Sequence, residues 1–104
     1  MIYVNGEGWD ICLVPPDHPS LRTPEGTWAL GCCDDIVKTI FISNALPPHH
    51  MRKVLCHELT HAAMYSYNVP ISDPTEEMVA ELVSTFGDEI ISLTNTVSKK
   101  IKGY

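Results

Sequence analysis

Eight prolines decide where this chain can be helical: they stand at positions 15, 16, 19, 24, 47, 48, 70 and 74. Each fixes its own φ and lacks an N–H, so none fits inside a helix or a central strand. Two windows with apolar residues at helical spacing remain. The first predicts a helix over about residues 48–67, entered through Pro47 and Pro48, where the first turn needs no N–H donor. The second predicts a helix over about residues 74–100, with Asp73 as N-cap, Pro74 in the first turn, and Glu76 and Glu77 near the positive end of the helix dipole.

The segment before Pro47 reads as strands. "MIYV" and "WDICLV" flank "NGEG", a hairpin signal. "TWALGCC" and "IVKTIFIS" are joined through Asp34 and Asp35 and predict a second hairpin, since the latter alternates along its length. Between the hairpins, "PPDHPSLRTPEG" can only be a loop. The expectation is an α+β fold: an N-terminal antiparallel sheet of two hairpins followed by two long helices. The length suits a single domain over residues 1–104, because 104 residues can enclose one core but not two.

Charge and composition narrow the function classes. The net charge of −6 and the scatter of seven Lys and Arg residues, "KKIK" at 99–102 apart, argue against a nucleic-acid partner. No apolar run is long enough to span a bilayer, and the N-terminus lacks the pattern of a secretory leader, so a cytoplasmic protein with no membrane partner is expected. Cys12, Cys32, Cys33 and Cys56 form no C-x-x-C pair and read as reduced, mostly buried thiols.

The chemistry sits in "CHELTH", residues 56–61. At 100° per residue, Met51, Leu55, Leu59 and Ala62 fall within about 80° and form the stripe that faces the sheet. His57 and His61 project about 40° apart on nearly the opposite side, a face that burial does not claim. Zinc takes nitrogen ligands at a tetrahedral centre, and histidines at i and i+4 supply two of them one turn apart. Glu58 would then stand beside a metal-activated water as general base. The third ligand must come from elsewhere, and the second helix offers Glu77 and, one turn on, Glu81. Both lie opposite the apolar stripe formed by Val79, Leu82, Val83, Phe86, Ile90, Leu93 and Val97. Ala80, Ser84 and Gly87 flank Glu77 and would permit close approach, which favours Glu77 as ligand with Glu81 orienting a histidine, while Glu81 stays the alternative third ligand.

The order of "KTIFIS", a proline lead-in, "VLCHELTHA" and "EEMVAE" resembles the gluzincin metallopeptidases, and most closely the short ImmA/IrrE-like proteins of phages and mobile elements. The resemblance spans roughly residues 27–91. It implies a zincin-like fold, a Zn2+ cofactor held by His57, His61 and Glu77, and Glu58 as catalytic base. It also implies a peptide or protein substrate, including regulatory cleavage of a repressor-type protein, bound as an added strand along a sheet edge for which "IVKTIFIS" is the candidate. Tyr65, Tyr67, His49 and His50 are the candidates for stabilising the oxyanion. The alternative is a non-catalytic, metal-stabilised interaction module on the same scaffold.

Overall fold

The computed structural model describes residues 1–69 and 76–102, without the side chains at 76, 77, 80, 81, 84 and 102. Four strands precede two helices: β1 (Ile2–Val4), β2 (Glu7–Val14), β3 (Gly31–Asp34), β4 (Thr39–Ser43), α1 (Pro48–Ser66) and α2 (Glu76–Lys102). The α+β class follows. The expected N-cap Asp73 and the first-turn Pro74 lie outside the described residues.

β1 and β2 form the first hairpin, turned by Asn5 (φ 49°) and Gly6 (φ 77°). Positive φ at both central residues is the geometry that an Asn-Gly pair favours in a two-residue turn. β3 and β4 form the second. Here the strand starts at Thr39, later than the alternation from Ile36 implies. Asp34 Oδ1 accepts a hydrogen bond from the Ile36 amide (2.9 Å), Lys38 takes φ 50°, and Ile36 is left 94% exposed. A side-chain acceptor competes with the ladder for these amides and turns the chain before pairing resumes.

The strand order is β1-β2-β4-β3, and β2 pairs with β4 in parallel. The sheet is therefore mixed, which corrects the expectation of a wholly antiparallel one. Parallel neighbours need a long crossover, and residues 15–38 supply it. The proline-rich segment within that crossover is a packed cover. Pro19–Leu21 form one 3-10 turn capped by His18, Leu21 is 1% exposed, Arg22 bridges to Trp28, and the His18 ring stacks on Phe41 of β4.

The core joins Val4, Trp9, Ile40 and Ile42 of the sheet to Met51, Val54, Leu55, Leu59, Ala62 and Ala63 of α1 and to Ile90 and Val97 of α2. All four residues of the predicted α1 stripe are buried. The far end of α1 is tied to the first hairpin, because Trp9 Nε1 donates to Ser66 Oγ (2.9 Å) and Asn5 Nδ2 to the Ser66 carbonyl (2.9 Å). The α2 stripe is buried only in part. Ile90 and Val97 are enclosed together with Thr94, but Val79 and Val83 are exposed, since no described element covers the early turns of that helix. Thr94 is tolerated in the core because its hydroxyl donates to the Ile90 carbonyl (2.7 Å). Among the described residues, no helix is long and apolar enough to cross a membrane.

Candidate active site

Three flanks of α1 are put to three uses. One packs on the sheet. A second meets α2, with Arg52 donating to Asn95 (2.6 Å) and Cys56 and Thr60 lining a groove with Leu82, Val83 and Ile90. The third carries His57 and His61 outward, both exposed. Their Nε2 atoms stand 3.2 Å apart, with the rings inclined at 68°. Two nitrogens at about 2.0–2.1 Å from one tetrahedral zinc are separated by about 3.3 Å, so the pair fits two ligand positions of such an ion. Loss of solvent on the protein side of the ring, and then the neighbouring His57, hold the His61 imidazole below the usual histidine value. A neutral imidazole is the form that binds a metal.

Glu58 points to the β3 side and is 7% exposed. Burial pushes its carboxyl above the usual carboxylate range, and the adjacent His57 partly offsets this. A raised carboxyl is better matched to exchanging protons near neutral pH than an ordinary one. What brings β3 so close to α1 is Gly31. A Cβ at that position would stand 2.8 Å from Val54 Cγ1, 3.1 Å from Glu58 Cγ and 3.2 Å from Glu58 Oε2. Gly31→Ala is therefore expected to displace Glu58 and Val54 or spread β3 from the helix. The prediction is at least a tenfold fall in any hydrolytic kcat with zinc content unchanged, read by steady-state kinetics beside metal analysis.

Cys33 lies on β3 near the same carboxylate. Burial first and Glu58 second push its thiol up to about 12, and the same two causes raise Cys32. Neither supplies a ready thiolate for a metal or for nucleophilic attack. Iodoacetamide at pH 8 should alkylate Cys33 at least about a hundredfold more slowly than a free thiol, measured by mass spectrometry of the folded protein.

A cleft of about 290 Å3 opens beside Glu58, lined by Leu30, Gly31, His50, Lys53, Val54, His57 and Glu58. A second depression, near the other end of α1, is lined by Asp35, Met64, Tyr65, Asn68 and Val69. Between these depressions runs β3, one of the two edge strands of the sheet. This corrects the strand expected to receive a peptide: β4, from "IVKTIFIS", is flanked on both sides by β2 and β3, so its hydrogen-bonding groups are already engaged.

The oxyanion candidates separate in the same way. Tyr67 donates its hydroxyl to Glu89 (2.6 Å) and packs on Phe86, which ties it to α2. His50 and Tyr65 line the two depressions, and His49 lies in neither lining. Glu77 and Glu81 belong to α2, but their side chains lie outside the described residues. Among the described residues, no third His, Cys, Asp or Glu joins His57 and His61 in a metal-sized cluster. Sequence reasoning passed over Gly31 and Lys53, the first because a glycine between two apolar stretches carries no local sign of a contact made so far along the chain.

A sheet edge beside a helix with paired imidazoles and a buried glutamate is the layout of a zincin-type peptidase domain. The IrrE N-terminal-like domain family of peptidases matches residues 20–90, and the chain belongs to that family. No curated protein and no solved structure gives a significant match.

Proposed function

We propose that the protein is a zinc-dependent peptidase in which His57, His61 and Glu77 hold the metal and Glu58 is the general base. The observation that carries this reading is the 3.2 Å separation of the two imidazole nitrogens on the open face of α1, with a buried glutamate between them in sequence. Bound zinc supplies a Lewis acid that polarises the scissile carbonyl and acidifies water.

The chain's own groups do the rest. β3, paired on one side only among the described residues, offers its other edge to an extended peptide and fixes the scissile bond over α1 by main-chain hydrogen bonds. Glu58, held against Gly31, takes a proton from the attacking water and returns it to the departing amine. The walls formed by β3 and α1 keep its carboxyl partly desolvated, which raises its proton affinity above that of an ordinary carboxylate. Glu81 orients one of the histidines. A repressor-type regulatory protein is the proposed substrate class.

Incubation of the zinc-loaded protein with a mixed library of quenched fluorescent peptides tests this. Cleavage that stops on adding 1,10-phenanthroline and returns with zinc is the expected result. Zinc-loaded protein that cleaves no member of the library, while an intact partner is captured equally by wild type and Glu58→Gln, would favour the interaction-module reading instead.

A further inference from the structure

We propose that Lys53 makes the cleft beside Glu58 a subsite for an acidic substrate side chain, so that the enzyme selects peptides carrying Glu or Asp next to the scissile bond. This deepens the peptidase reading and rests on it. Among the described residues, Lys53 is the one lysine or arginine that lines the cleft. It lies one turn before His57 on α1, while Glu58 lies on the sheet-side wall, about 140° away around the helix. Among the described residues Lys53 makes no ion pair, whereas Lys38 is held by both Asp35 and Glu7. That comparison separates the two depressions. Asp35 at the far one is already paired with Lys38, whereas at the near one Lys53 forms no ion pair among the described residues and the carboxylate in the lining, Glu58, is buried on the sheet-side wall.

The lining also has the amphipathic form that a Glu side chain needs. Leu30 and Val54 give apolar walls for the methylenes, and Lys53 with His50 gives donors for a carboxylate at the mouth. A Lys or Arg side chain entering the same cleft would meet Lys53 as a like charge. The protein as a whole carries a charge of −6, so this local cation stands against the net field. Because Lys53 is exposed, its contribution is modest and sensitive to salt. Roughly a five- to tenfold preference for Glu over Leu is expected at low ionic strength, shrinking in 0.5 M NaCl.

Phosphinic pseudopeptides test this without turnover, since they bind metal and present residues on both sides of the chelating group. Glu, Leu or Lys is placed at each flanking position in turn, and Kd is measured by titration calorimetry for zinc-loaded wild type, Lys53→Ala and Lys53→Glu. The expected result is the order Glu, Leu, Lys at one flanking position for wild type, a flattened series for Lys53→Ala, and the reverse order for Lys53→Glu. An order unchanged by Lys53→Glu at both positions would overturn the subsite and leave the peptidase reading standing. Zinc uptake with no probe bound would overturn it too. No zinc uptake at all would defeat the peptidase reading, and the subsite with it. Circular dichroism of the variants checks that this exposed position leaves the fold intact.

Discussion

Glu58→Gln is expected to lower peptide hydrolysis by about 10²–10⁴-fold while zinc is kept, because glutamine fills the same space against Gly31 but cannot exchange a proton. The same change should stabilise the metal-free protein at neutral pH. The Glu58 carboxyl is 7% exposed and raised by burial, so folding penalises its charged form relative to the unfolded chain. For a group whose folded value lies above the unfolded one, the stability it contributes is full below the unfolded value, near 4.5, and is lost as pH rises through the folded value. A neutral amide avoids that loss. The gain should appear at pH 7–8 as a raised melting midpoint of the variant and should vanish below about pH 4.5. Melting curves across pH for metal-free wild type and variant, beside initial rates for the zinc-loaded pair, measure both effects.

His57→Ala has the second large effect, on metal and stability together. Removing one of two nitrogens 3.2 Å apart leaves no pair to seed a tetrahedral site. A ligand present at a thousand times its Kd stabilises the folded state by about 4 kcal/mol. Chelation should therefore lower the wild-type midpoint by more than about 10 °C and leave His57→Ala unchanged. A variant that still lost that much stability on chelation would place the metal somewhere other than this face.

How much of this could be read in the sequence follows from the range of the forces involved. Helical spacing put Met51, Leu55, Leu59 and Ala62 on the buried side and His57 and His61 on the open one, because that is periodicity within one element. Asn5-Gly6 gave the first hairpin for the same local reason. The parallel pairing of β2 with β4 was not legible, since it depends on where the proline-rich crossover returns the chain. Nor was it legible that β3 lies at an edge of the sheet and β4 inside it. Burial of Glu58 went unread as well: it requires Gly31 to admit β3 against α1, a contact between distant residues that no window of sequence contains. The early α2 residues Val79 and Val83 show the converse limit. Their spacing matches a core stripe, yet they are exposed because nothing described packs over them.

The central claim is that α1 and α2 together hold one zinc ion. Its most direct test is zinc per chain, by inductively coupled plasma mass spectrometry, after purification without added metal, for wild type, His57→Ala, Glu77→Gln and Glu81→Gln. One zinc per chain is expected in the wild type, retained in Glu81→Gln and lost in His57→Ala and Glu77→Gln. A zinc-free wild type whose melting midpoint does not move when zinc is added would contradict it.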